Sequence, residues 1–147
     1  VTTPERILQA SNQVGEKVVM GAGKGGYEAS VEHSEESDTE VISRGEEVTL
    51  SEHLAPGKVT VVDFYADWCG PCRRVAVAMN TVMGARRDVA LRKIDIVEWD
   101  TPVAKQHMTE VSQLPYTIIF NTKGEEVRRI VGLDLPALFA AIEEAGK

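Results

Sequence analysis

The sequence predicts an α/β domain: a central mixed β-sheet with helices on both faces, plus a short N-terminal extension. Three observations carry this expectation. From residue 58 onward, strand-like and helix-like segments alternate as β-α-β-α-β-β-α. The last two strands are separated only by Thr122-Lys123-Gly124-Glu125, a hairpin turn. The most apolar strand runs straight into a helix that opens on Trp68-Cys69-Gly70-Pro71-Cys72.

Before residue 40, residues 17–20 and 27–32 are short strand-like runs around a glycine-rich stretch, which suggests a loose hairpin. Gly21, Gly23 and Gly26 spell G-x-G-x-x-G. The next residues are Tyr-Glu-Ala-Ser-Val-Glu and a charged run, not the long helix whose N-terminus would meet a pyrophosphate, so the stretch is read as a loop. Residues 32–40 read as a solvated loop or linker. Residues 41–43 and 47–50 flank Arg44-Gly45-Glu46 as a second hairpin. Residues 58–66 (KVTVVDFYA) form a strand apolar enough to be central. The helix after it carries Val75, Ala78, Met79, Val82 and Met83 on one face. Residues 89–97 form the next strand. Thr101 and Pro102 supply an N-cap and first turn for a short helix to about Met108. Residues 116–121 and 126–131 form the hairpin. Asp134 caps a final helix with Leu135, Leu138, Phe139 and Ile142 along one stripe. The boundary between extension and domain is expected at residues 40/41.

Composition narrows the function. The chain of 147 residues is 43% hydrophobic and 27% charged, ordinary for one globular domain. No segment approaches the ~20 apolar residues of a membrane helix. No signal-peptide pattern stands at the N-terminus, but the chain begins at Val1, so this says nothing about compartment. The net charge of −7 resides wholly in residues 1–56, with 11 acids and 4 bases, while residues 57–147 hold 12 of each. An acidic leader reads as a solubilising arm and excludes phosphate-backbone binding, so no nucleic-acid partner is expected.

The chain has two cysteines, three positions apart. That is no disulfide framework, and a zinc site would need two more ligands, which the scattered His33, His53 and His107 do not offer. Half of a metal site and a pair of core cysteines are the bland alternatives to a local redox pair. The redox reading is chemically specific. Cys69 falls at a helix N-terminus, where free N–H groups and the dipole favour a thiolate. Cys72 lies one turn on, close enough to close a disulfide. Pro71 is tolerated in a first helical turn, and Gly70 leaves the approach to Cys69 open. Cys69 is expected to attack a substrate disulfide and Cys72 to resolve the mixed disulfide. Asp63, between Val62 and Phe64 in an apolar strand, should have a raised pKa; an edge strand facing water is the alternative.

Residues 63–72, Asp63-Phe64-Tyr65-Ala66-Asp67-Trp68-Cys69-Gly70-Pro71-Cys72, together with Leu114-Pro115-Tyr116-Thr117, resemble the thioredoxin family over roughly residues 41–147. The resemblance implies the thioredoxin fold and electron transfer to protein disulfides. It implies a cis Leu114–Pro115 peptide facing the dithiol, where an extended substrate chain pairs with backbone groups. It makes Asp63 the proton acceptor and donor for Cys72, and Lys93 its partner, the latter match assuming a small insertion at residues 97–100. It places Trp68, Gly70, Pro71, Leu114, Pro115 and Gly132 at the substrate contact. Taken alone, Pro115 reads as a turn proline, Lys93 as an exposed strand lysine and Gly132 as a strand-end turn glycine. No cofactor or metal is implied.

The expected partners are disulfide-containing proteins and an upstream disulfide reductase or thiol donor, the chain itself acting as a monomer. The short lead-in at residues 45–51 resembles exported thioredoxin-like reductases, while the retained aspartate fits other relatives. An exported or periplasmic location is therefore expected, with a cytoplasmic one as the alternative. The Gly70-Pro71 dipeptide is the one that the family's reductants carry. A disulfide isomerase or oxidase on the same fold, and a redox-quiet interaction module, are the competing functions.

Overall fold

The computed structural model describes residues 37–147. The early hairpin and the glycine-rich stretch of the sequence lie outside the described residues.

Five strands make one mixed sheet. They are β1 (Asp38–Arg44), β2 (Val59–Tyr65), β3 (Val89–Asp95), β4 (Tyr116–Phe120) and β5 (Glu126–Val131). Their spatial order is β1-β3-β2-β4-β5. β1, β3 and β2 run parallel, and β4 and β5 return antiparallel. β2 occupies the centre because Val-Thr-Val-Val-Asp-Phe is buried along its whole length, as a strand covered on both faces must be. Its side chains alternate. Val59 and Val61 join Val75, Met79 and Met83 of α1 (Gly70–Ala85) and Leu138, Ala141 and Ile142 of α3 (Leu135–Ala145) in one core. Val62 and Phe64 face a second core with Val103 and Ala104 of α2 (Pro102–His107), closed by Tyr116 and Ile118. Each fully buried side chain of this size contributes about 1.5–3 kcal/mol of transfer free energy. The expected α/β architecture with helices on both faces is what the chain forms. Among the described residues no helix is long and apolar enough to cross a membrane.

Five local expectations are corrected. Residues 41–43 and 47–50 do not form a hairpin: β1 pairs parallel with β3, Asp38 opposite Ala90 through Arg44 opposite Asp95, and Leu50–His53 is a 3₁₀ turn. β1 also begins inside the stretch read as linker. The reason is Arg92 on β3, whose side chain is only 7% exposed. Its guanidinium donates to the Asp38 carboxylate at 2.8 Å, the Asp38 carbonyl at 3.0 Å and the His53 carbonyl at 2.7 Å. Lys58 adds a 3.0 Å ion pair to Asp38. Burial pushes the Asp38 carboxyl up, but the hydrogen bonds from Arg92 and Lys58 and their charges outweigh it and hold the pKa below its usual value.

Thr101 precedes α2 as expected, but its hydroxyl makes no cap bond. It donates instead to the carbonyls of Ile96 at 2.6 Å and Glu98 at 3.1 Å, tying down the loop before the helix. Phe139 is 41% exposed, and the small Ala141 and Ala145 take the sheet-facing positions beside Leu138 and Ile142. The third strand ends at Asp95, two residues early, because Val97 adopts a left-handed conformation at φ 66°. Asp134 caps α3 as expected, accepting the Ala137 N–H at 3.1 Å.

Candidate active site

β2 delivers the chain to the carboxyl end of the parallel strands, where α1 begins. Cys69 is the N-cap of α1, and Pro71 lies in its first turn, where no intrahelical N–H is needed. The Cys69 N–H is bound to the Ala66 carbonyl at 3.1 Å, which fixes the entry of the chain into the helix. The Cys72 N–H donates to Cys69 Sγ at 3.1 Å, so the Cys69 sulfur accepts a bond that a side-chain oxygen makes in ordinary caps. The two sulfurs are joined as a disulfide with Cα atoms 5.3 Å apart. Both cysteines are nearly buried, whereas Gly70 and Pro71 are exposed and Trp68 is 48% exposed.

Behind the dithiol lies Asp63, fully buried on β2. Its neighbours across the sheet are Lys93 on β3 and Thr117 on β4. Oδ1 of Asp63 has no hydrogen-bond partner. Burial raises its carboxyl, the positive charge of Lys93 offsets only part of that, and the pKa stands at about 6. A solvent-connected cavity of about 280 Å³ joins these groups, lined among others by Asp63, Lys93, Tyr65, Arg73 and Cys72. It has room for water. Lys93 Nζ stands 4.9 Å from the centroid of the Tyr65 ring, a cation–π contact that positions the ammonium. Tyr65 has no sequence signal of its own, because its role depends on a neighbour in another strand.

The hairpin strands complete the site from the other side. The Leu114–Pro115 peptide is cis and precedes β4, at the end of the sheet where β2 leaves for Cys69. Leu114 shares one core cluster with Cys69 and Cys72. The Pro115 carbonyl accepts the Gly132 N–H at 2.7 Å, so Gly132 is tied to the cis-proline turn. Gly132 has φ 90°, a conformation that favours glycine; a Cβ there would come within 2.7 Å of Gln113 Nε2, the end of an exposed side chain that can swing aside. The candidate site residues Asp63, Trp68, Cys69, Gly70, Pro71, Cys72, Lys93, Leu114, Pro115 and Gly132 thus lie toward this one end of the sheet. Two residues that the sequence did not single out, Val97 and Trp99, lie beside Trp68: the indole Nε1 donates to the Val97 carbonyl at 2.6 Å, and the two tryptophan rings are 6.2 Å apart. Exposed aromatics in an irregular loop have no periodicity to reveal them.

Comparison with known proteins agrees with this geometry. The sequence profile of the Thioredoxin family matches residues 44–144. Thioredoxin-2 of Saccharomyces cerevisiae is 41% identical over 90 residues, covering 60% of this chain and 83% of the yeast protein. The reduced Schistosoma mansoni thioredoxin pre-protein superposes with a TM-score of 0.57 at 27% identity, over 73% of this chain and 99% of that one. A structure of the complex between ferredoxin:thioredoxin reductase and thioredoxin f2 matches with a TM-score of 0.57 at 26% identity, over 71% of this chain and 94% of the matched chain. Likeness of this extent is not confined to the cysteine motif; the chain belongs to the thioredoxin family and is a thiol–disulfide oxidoreductase that reduces protein disulfides.

Proposed function

We propose a division of labour among the site residues. The Cys69 thiolate attacks one sulfur of a substrate disulfide, forming a mixed disulfide and releasing the other substrate sulfur as a thiolate that takes a proton from water. The N-terminus of α1 and the Cys72 N–H favour that thiolate in the reduced protein. Asp63, ionised, then accepts the proton of the Cys72 thiol across the shared cavity. The resulting Cys72 thiolate attacks Cys69 Sγ, the second substrate sulfur leaves, and Cys69 and Cys72 end as the disulfide. Two electrons pass to the substrate. The observation that carries this assignment is the buried carboxyl of Asp63, poised near neutral pH with an unpartnered oxygen, in the same cavity as Cys72.

Lys93 tunes Asp63 by its charge, and its seat on Tyr65 supports that role. Trp68, Gly70, Pro71, Leu114, Pro115 and Gly132 form the substrate contact, supported by their gathering at one end of the sheet. The donor that returns the disulfide to the dithiol is an upstream disulfide reductase. The related thioredoxin f2, seen in complex with ferredoxin:thioredoxin reductase, supports this class of partner.

Reduction of insulin with dithiothreitol as donor tests the assignment. Cys69→Ser should abolish turnover, and Cys72→Ser should accumulate mixed disulfides through Cys69. Wild-type turnover in Cys69→Ser would refute the assigned roles.

A further inference from the structure

The chain contains two tryptophans, and both stand half in water next to the dithiol. Trp68 is 48% exposed and Trp99 40% exposed, with Val97 beside them at 42%. Indoles are the side chains that gain most from burial, so a mutually packed pair left at a surface marks a place where something else completes the burial. The loop that carries Trp99 is also tied to Trp68 by hydrogen bonds. Val97 is β-branched and left-handed, a conformation costing on the order of 1–3 kcal/mol, which persists only where its surroundings enforce it. Here the Val97 N–H is held by Asp95 Oδ1 at 2.9 Å, the Glu98 N–H by the Ile96 carbonyl at 2.7 Å, and the Val97 carbonyl by the Trp68 indole. The thiol chemistry uses none of these contacts. Their common result is to hold Trp99 against Trp68.

The rim of the pair is acidic. Asp67, Glu98 and Asp100 are exposed carboxylates flanking the two tryptophans in sequence. Arg73, whose guanidinium donates to the Asp67 carbonyl at 3.0 Å, is the base bound to this rim. Continuity with the reacting atoms identifies the group that covers the indoles. Trp68 is covalently adjacent to Cys69, so any disulfide that reaches Cys69 Sγ carries its own flanking chain to this surface.

We propose that Trp68 and Trp99 together form an aromatic subsite that receives an apolar side chain of the substrate segment flanking its target cysteine, and that Asp67, Glu98 and Asp100 favour segments in which that side chain neighbours lysine or arginine. The proposal rests on the disulfide-reductase reading of Cys69 and gives it a substrate class. Burial of an aliphatic side chain between the two indoles supplies affinity, and a neighbouring cation meets both the indole faces and the carboxylates. Trp99 is a specificity-determining residue that does not touch the reacting sulfurs.

Single-turnover reduction of two cysteine peptides, each blocked as a mixed disulfide with thionitrobenzoate, tests this. One carries Leu and Lys beside the cysteine, the other Ser and Glu; bis(2-hydroxyethyl) disulfide, which has no flanking chain, is the control. The wild-type protein should half-saturate at about tenfold lower concentration of the Leu/Lys peptide. Trp99→Ala should remove most of that preference without slowing reduction of the control disulfide, and Glu98→Lys with Asp100→Lys should invert the preference for Lys over Glu. An unchanged preference in Trp99→Ala overturns the proposal, as does an equal slowing of peptides and control. In Trp99→Phe, Trp68 is the sole tryptophan, and its emission should shift to the blue with the Leu/Lys peptide carrying Ser for Cys; no shift counts against the subsite. Failure of the wild-type protein to reduce even the control would instead refute the reductase reading itself.

Discussion

At the scale of single residues, one buried carboxyl shares a cavity with Cys72. Asp63 is raised from 3.8 to about 6 chiefly by burial, so the folded protein binds its proton more tightly than the unfolded chain does. Its contribution to stability is therefore fully present below the unfolded pKa and is lost as pH rises through about 6. A gap of that size corresponds to about 3 kcal/mol. Asp63→Asn cannot titrate, so its unfolding free energy relative to wild type should rise by up to about 3 kcal/mol between about pH 3 and pH 8 in denaturant titrations. A difference that stays flat with pH would mean that Asp63 is not held in the environment described. The same variant should slow disulfide exchange near neutral pH, because the amide cannot carry the Cys72 proton.

Gly132 offers a second residue-level test. Gly132→Ala should destabilise by about 1–2 kcal/mol from its positive φ, with the Gln113 side chain swinging aside. A thermal melt would show this, and an unchanged midpoint would remove the claim that glycine is favoured there. The pairing of Cys69 with Cys72 and the burial of Asp63 were legible in the sequence, because two cysteines one helical turn apart can close a disulfide and a carboxyl inside an apolar strand is costly when charged. The partners were not: Tyr65 under Lys93, and Val97 with Trp99 beside Trp68, meet across strands and loops that no local pattern connects.

At the scale of elements, the central strand, the long helix and the closing hairpin were legible because their apolar periodicity matches what they bury. β1 was not. Asp-Thr-Glu-Val-Ile-Ser-Arg is an edge strand with exposed Glu40 and Val41, and its acidic start continues the charged run before it. The buried guanidinium of Arg92 recruits it to the sheet, a requirement written on another strand fifty residues away. Asp38→Ala should therefore cost about 2–3 kcal/mol, somewhat less than breaking a fully buried pair because Asp38 is 26% exposed. A chain starting at Ser37 should keep wild-type stability and insulin reduction, whereas one starting at Val41 loses Asp38 and Glu40 and should melt well below it. Equal melting of the two chains would show that the Arg92–Asp38 contact contributes nothing. Phe139 teaches the converse lesson: an apolar stripe on α3 is wider than the face that the sheet covers, and close helix–sheet packing selects alanine where periodicity alone suggests phenylalanine.

At the scale of the molecule, two cores on opposite faces of one sheet clamp β2 and so fix the position of the α1 N-terminus, where both cysteines sit. The fold supplies a fixed mount, a helix terminus at Cys69, and a nearby buried carboxyl, Asp63, whose pKa burial raises to about 6. The family to which the chain belongs reduces protein disulfides, and the quantity that tests this for Cys69 and Cys72 is the reduction potential of their couple. Equilibration of the purified protein with glutathione buffers of graded poise, read by thiol alkylation, measures it directly. The potential should lie near −270 mV, in the range of thioredoxins; a value above about −180 mV would contradict the account and make the protein an isomerase or oxidase.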